Sequence, residues 1–143
     1  MKRWLVDTGP LVAYLDPSDR SHQVVAECLE GFSGQLVTTS AVVTEAMHLL
    51  SAFAQGPRRL ADLVTSSGTE VYDLCRPPEL QEAVSLIEKY ADTPMDFADA
   101  TLVLLAEALA LREVLTLDRR GFSTYRTRPG KSLTLVLDRP GPR

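Results

Sequence analysis

Apolar and polar positions fall in short alternating blocks along the chain. Trp4-Leu5-Val6 is an apolar run closed by Asp7-Thr8-Gly9-Pro10, a cluster that ends a strand and starts a helix. The pattern predicts a strand over 4–6 and a helix to about residue 15, broken at Asp16-Pro17-Ser18-Asp19. Ser21 or Asp19 caps a second helix through Val24, Val25, Cys28 and Leu29, which stops at Gly31. Leu36-Val37-Thr38 reads as a second strand. Ser40 caps a helix over 40–54, with Gly56 past its end and Pro57 opening the next. A third strand is predicted over 70–74. Pro77-Pro78 then starts a helix to about residue 91 with Leu80, Ala83, Val84 and Ile87 on one face. Asp96 or Thr93 caps a helix over 97–111, and strands follow over 114–117 and 133–137. Strands alternating with helices predict right-handed crossovers and a parallel sheet covered on both faces. No internal repeat or low-complexity linker interrupts the pattern.

The chain has 143 residues, 45% hydrophobic and 24% charged, which suits one domain with one core. Two cysteines, Cys28 and Cys75, exclude a disulfide framework and a cysteine-built zinc site; both are expected in the core. Asp7 interrupts the first apolar run too early for a signal peptide. The most apolar stretch, over 98–111, contains Asp99 and Glu107 and is too short to span a bilayer. A soluble, cytoplasmic protein is expected. The net charge of −4 argues at first against a nucleic-acid partner. Its distribution changes that picture. Residues 112–143 carry eight bases (Arg112, Arg119, Arg120, Arg126, Arg128, Lys131, Arg139 and Arg143) against three acids, giving +5, while residues 1–111 carry −9. Such a split is the pattern of a surface for a charged partner, or of an ordinary solvated tail.

Several carboxylates stand where a core would not place them. Asp7 follows the first strand and Asp118 the fourth, and in open α/β sheets the functional crevice lies at the carboxyl ends of the strands. If those strands are neighbours, the two acids lie roughly 5 Å apart, one strand spacing. Each also has a plainer reading, Asp7 as a helix cap and Asp118 as a turn opener. Glu45 shares a helix face with Val42 and Leu49 and has no base at i±3 or i±4. It is a partly exposed flank residue, or an acid bonded to His48, or a buried acid that needs a cation. Asp99 lies in the first turn of an almost wholly apolar helix, on the same face as Asp96. Capping and the helix dipole explain part of that pair. Together, converging acids without matching bases cannot all stay ionised unless a cation neutralises them. Mg²⁺ is the ordinary solution, and it suits phosphoryl chemistry by offsetting phosphate charge and activating water.

At these residues the chain resembles a PIN domain, particularly the VapC-type ribonuclease toxins of type II toxin–antitoxin pairs. The resemblance runs over nearly the whole chain, so 1–143 is expected to be a single PIN domain. It rests on Val6-Asp7-Thr8-Gly9-Pro10-Leu11-Val12-Ala13, Thr39-Ser40-Ala41-Val42-Val43-Thr44-Glu45-Ala46, Asp96-Phe97-Ala98-Asp99-Ala100 and Leu115-Thr116-Leu117-Asp118-Arg119-Arg120-Gly121-Phe122. It implies a three-layer α/β/α fold with a central, mainly parallel five-stranded sheet. It implies that Asp7, Glu45, Asp99 and Asp118 form an acidic catalytic and metal site, with Asp96 as an additional acid and Thr116 as a hydroxyl lining it. The implied activity is endonucleolytic cleavage of RNA with Mg²⁺ or Mn²⁺. The implied partners are the RNA substrate, a cognate antitoxin and a second copy in a homodimer.

Other signals carry less. Gly130-Lys131-Ser132 looks like the end of a phosphate-binding loop but precedes a strand, so it reads as a turn. His22 and His48 lack metal-ligand spacing. Arg119, Arg120 and the Tyr125-Arg126 pair adjoin Asp118 and are candidates to contact RNA phosphates or stack a base. A catalytically idle PIN-fold binding module, a PIN nuclease of RNA maturation, and a phospho-aspartyl hydrolase or receiver domain are the alternatives. The hydrolase needs a second Asp two residues after Asp7, where Gly9 stands.

Overall fold

A computed structural model of the chain describes residues 1–128 and 130–138. Arg139 and Arg143, two of the bases in the carboxyl-terminal segment, lie outside the described residues. The chain runs β1 (Arg3–Val6), α1 (Thr8–Leu15), α2 (His22–Glu30), β2 (Gln35–Thr39), α3 (Ser40–Leu50), α4 (Gly56–Ser67) and β3 (Glu70–Tyr72). It continues through α5 (Pro77–Lys89), α6 (Phe97–Leu109), β4 (Glu113–Leu115), α7 (Arg119–Thr124), β5 (Arg126–Thr127), β6 (Lys131–Ser132) and β7 (Thr134–Leu135), ending in a 3-10 turn at Val136–Asp138.

Five strands form one sheet in the order β3-β2-β1-β4-β7, and every pairing in it is parallel. Helices cover both of its faces, giving the three-layer α/β/α arrangement expected. The central strands are apolar at most positions because both faces are buried, as Leu5, Val6, Val37, Val114 and Leu115 are. Successive strands build outward from β1 to β2 and β3, then the chain crosses back to place β4 on the other side of β1. The order therefore reverses between β1 and β4, and a crevice opens beyond their carboxyl ends. Helix α6 is the best-buried helix: Ala100 through Ala106 are all buried, and the Thr101 and Thr39 hydroxyls bond each other at 2.8 Å to satisfy both there.

Several boundaries differ from those the pattern predicts. Helix α3 ends at Leu50 instead of residue 54, and Thr39, not Ser40, is its cap, accepting from the Val42 amide at 3.3 Å. The bend that follows needs Gly56, since a Cβ there would collide with the Leu50 carbonyl. Cys28 is half-buried against the core, but Cys75 is exposed. The expected core place for Cys75 fails because it follows the edge strand β3, where only one side is covered. On α5, Ala83 is buried, while Leu80 and Val84 are 39% and 50% exposed, so the apolar face sits one position round, on Ala83, Leu86 and Ile87. The segment around residue 130 is a two-stranded hairpin of β5 and β6.

Candidate active site

Asp7 is the first residue past β1 and caps α1. One carboxylate oxygen accepts from the Thr8 amide at 2.8 Å and the other from the Thr116 hydroxyl, also at 2.8 Å. Parallel pairing of Leu5 with Val114 and Val6 with Leu115 brings the chain after β4 alongside it. Thr116, not Asp118, is the residue that touches Asp7. The Thr116 hydroxyl works twice, donating to Asp7 and accepting from the Asp118 amide at 3.0 Å. Asp118 in turn caps α7 by accepting from the Gly121 amide at 3.0 Å. Glu45 is half-buried on α3, and its carboxylate accepts from the Thr8 hydroxyl at 3.3 Å. His48, the partner considered for Glu45, makes no hydrogen bond to it among the described residues. Asp96 and Asp99 form a reciprocal capping box at the start of α6: Asp96 accepts from the Asp99 amide at 2.8 Å, and Asp99 from the Asp96 amide at 3.2 Å.

Three helix starts, those of α1, α6 and α7, and the middle of α3 thus converge on one crevice. Asp7, Glu45, Asp96, Asp99 and Asp118 line a single cleft of about 390 Å³ together with Thr8, Gly9, Leu49 and Leu117. No residue lining it is basic. Among the described residues, none of these five acids takes part in an ion pair. The consequence is electrostatic. Burial raises the Asp7 carboxyl to about 6, against the pull of the Thr116 and Thr8 hydrogen bonds, and Asp96 and Asp118 push it the same way. Asp99 is raised well above the ordinary carboxylate range, chiefly by burial and then by the charges of Asp7 and Asp96.

Two residues outside the acid set, Tyr125 and Gly121, hold this arrangement. Tyr125 is fully buried, and its hydroxyl donates to the Pro94 carbonyl at 2.8 Å, tying the end of α7 to the loop that delivers Asp96. Its burial rules out the base-stacking role considered for it. Gly121 leaves room for that contact: a Cβ there would collide with the Asp118 carboxylate and lie 2.9 Å from the Tyr125 hydroxyl oxygen. The basic candidates lie outside the cleft lining. Nη1 of the Arg126 guanidinium is turned onto the carbonyls of Ser123, Thr124 and Tyr125 at 2.8–3.0 Å, closing the end of α7. Arg119 is exposed and pairs with Asp138 at 3.0 Å, and Arg120 is exposed.

The donor set is chemically that of a hard divalent cation: carboxylate oxygens, a neighbouring hydroxyl and no competing base. Among the described residues no three acidic, histidine or cysteine side chains already form a closed ligand set. Asp7, Asp96, Asp99 and Asp118 each direct an oxygen at a helix-start amide instead. The residues fit an ion that keeps part of its water shell, as Mg²⁺ ordinarily does.

A sheet that reverses its order beside β1, with acids from three helix starts and the middle of α3 in the crevice, defines a PIN-type domain, and residues 4–127 match the family described as PIN domain. The chain belongs to the PIN domain family. It is 34% identical over 134 residues to Ribonuclease VapC26 of Mycobacterium tuberculosis (strain ATCC 25618 / H37Rv), covering 92% of this chain and 98% of that protein. Its fold is similar to that of VapC20 of Mycobacterium tuberculosis, described as a sarcin–ricin loop cleaving toxin, with a TM-score of 0.74 at 17% identity, covering 82% of this chain and 91% of that one. Among the described residues no helix is long and apolar enough to cross a membrane.

Proposed function

We propose that this chain is a metal-dependent endoribonuclease and the toxin of a toxin–antitoxin pair. The observation that carries the reading is the gathering of Asp7, Glu45, Asp96, Asp99 and Asp118 in one cleft without a base to neutralise them. Asp7, Asp99 and Asp118 hold Mg²⁺ or Mn²⁺, with Asp96 as an additional acid. Bound there, the ion offsets charge on the phosphate and makes water a better nucleophile. Glu45, steadied by the Thr8 hydroxyl at the cleft rim, orients the attacking water. Thr116 is a positioning residue that keeps Asp7 and the start of α7 in register. Arg119 and Arg120, next to Asp118 and exposed, receive the RNA backbone. The 34% identity to a VapC ribonuclease supports RNA as the substrate and an antitoxin as the restraining partner. A homodimer acting in the cytoplasm completes the reading, on the family resemblance.

The test is cleavage of a panel of structured RNAs with Mg²⁺, with Mn²⁺ and with EDTA. Wild-type protein is expected to cut with either ion and to stop in EDTA. Asp7→Ala and Asp99→Ala are expected to lose at least ~10³-fold in rate, about 4 kcal/mol of transition-state stabilisation, with unchanged circular dichroism. A folded Asp7→Ala protein that cuts at the wild-type rate sinks the assignment. An inert wild-type protein favours the idle binding module instead.

A further inference from the structure

Beside the acid cleft lies a second hollow of about 480 Å³, within the about 300–1,000 Å³ range of small-ligand sites. It sits between α3, the chain after β3 and the start of α6, and Glu45 and Asp96 border both it and the acid cleft. Its apolar lining includes Ala41, Leu74, Phe97 and Ala98. Its polar groups include Ser40 and Asp73, whose side chains are joined by a hydrogen bond in which the Ser40 hydroxyl donates to Asp73 Oδ1 at 3.1 Å. No lysine or arginine lines it. Its lining carries the carboxylates Glu45, Asp73 and Asp96 and the imidazole of His48, so a phosphate would meet no permanent positive charge there. An uncharged planar group with a polar edge meets what it needs: an aromatic side chain for its face and a fixed carboxylate for its edge.

We propose that this hollow is a nucleobase subsite, in which Phe97 stacks the base flanking the scissile phosphate and Asp73 selects guanine. The proposal deepens the ribonuclease reading and rests on it. The two hollows share a border, so a strand whose phosphate lies among the acids can drop an adjacent base beside Phe97. Sequence-specific recognition of single-stranded RNA works in this way, by stacking bases on aromatic side chains and bonding their edges. A carboxylate only accepts hydrogen bonds. Guanine presents two adjacent donors, N1–H and N2–H, to it. Adenine and cytosine present an amino group beside a ring acceptor, and uracil presents one N–H between two carbonyls whose lone pairs oppose the carboxylate. The Ser40 hydroxyl holds Asp73 in place and occupies only one acceptor position, on Oδ1, leaving the rest of the carboxylate to accept.

The experiment cleaves single-stranded RNA oligonucleotides with the full chain and Mn²⁺, varying only the nucleotides next to one cleavage site. Wild-type protein is expected to favour guanine at one flanking position. Asp73→Asn, an exposed and isosteric change that brings in an amide donor, is expected to cut the guanine-over-uracil preference by about tenfold or more. Phe97→Leu keeps an apolar side chain against the core but removes the stacking face. It is expected to raise KM about tenfold for every base, with kcat changed much less. Phe97→Ala serves only as the larger truncation, read if it folds. Base preference unchanged in Asp73→Asn, together with unchanged KM in Phe97→Leu, overturns the subsite while leaving the nuclease reading intact. Variants that change only the binding of a protein partner overturn it too. A wild-type protein that cuts no oligonucleotide and no structured RNA overturns the ribonuclease reading, and the subsite with it.

Discussion

Carboxylates gather in two places in this molecule, and they are treated in opposite ways. On the outer face of α5 and α6, Glu82 and Glu107 meet Arg128, whose guanidinium lies 2.9 Å from Glu107 and 3.5 Å from Glu82 and whose backbone amide also donates to Glu107. In the crevice past β1 and β4, five acids share a space that no base lines. The first group is paired within the chain, two acids to one base, and fastens the β5–β6 hairpin to the helices. The second is left unbalanced: burial first, and then the neighbouring charges, raise the carboxyls of Asp7 and Asp99, and no side chain in the cleft offsets the charge. A paired carboxylate serves the fold, whereas an unpaired cluster lowers stability until something outside the chain arrives.

The sharpest way to break that contrast is to measure folding stability against pH without divalent ions. Asp7 holds its proton up to about 6 in the folded chain but only to the ordinary 3.8 when unfolded. The folded state therefore binds the proton more tightly, and stability is fullest below about pH 4 and falls as pH rises through about 6. The loss is about 3 kcal/mol from Asp7, and Asp99, raised for the same reason, adds loss in the same direction at higher pH. Urea unfolding in EDTA between about pH 4 and 8 should show the decline. Asp7→Asn should flatten it, and Mg²⁺ or Mn²⁺ should restore stability at the upper end. A level wild-type profile would mean that the two carboxylate groups do not differ as described.

Next in size is Thr116→Val, which keeps the buried volume but leaves an Asp7 oxygen and the Asp118 amide without their partner. Rates of RNA cleavage should fall about 10–100-fold, as for other groups that orient metal ligands. Chemical unfolding should show a cost of about 1–3 kcal/mol. The smallest effect belongs to the paired group. Arg128→Gln, at an exposed side chain, should cost no more than about 1 kcal/mol of stability and leave cleavage within about twofold of wild type, by the same assays. Loss of activity in this variant would place functional weight on the paired group.

Much of the site could be read from the chain because its acids stand at positions with meaning. Asp7 follows an apolar strand, Asp96 and Asp99 open an apolar helix, and Glu45 sits on a half-apolar face with no base one turn away. Helix α7 could not be read in this way. It spans six residues, too few to show a period, and is held by the Asp118 cap and the buried Phe122. The basic segment was only partly legible for a related reason. Of its six described bases, Arg112 bonds the Ser132 carbonyl, Arg119 meets Asp138, Arg126 closes α7 and Arg128 meets Glu107. A charge count does not say which of these side chains also brace the fold.

Sequence alone determined the alternation of strands and helices and the parallel sheet, and it singled out the acids that share the cleft, since these follow from local period, capping and the cost of burying charge. Tertiary structure decided the rest. Only parallel pairing of β1 with β4 puts Thr116 against Asp7, and only the packing of Tyr125 beneath Gly121 links the Asp118 helix to the loop before Asp96. Those contacts join residues far apart in the chain, so no local rule encodes them. They exist because the sheet reverses its order at that one place and leaves a crevice there.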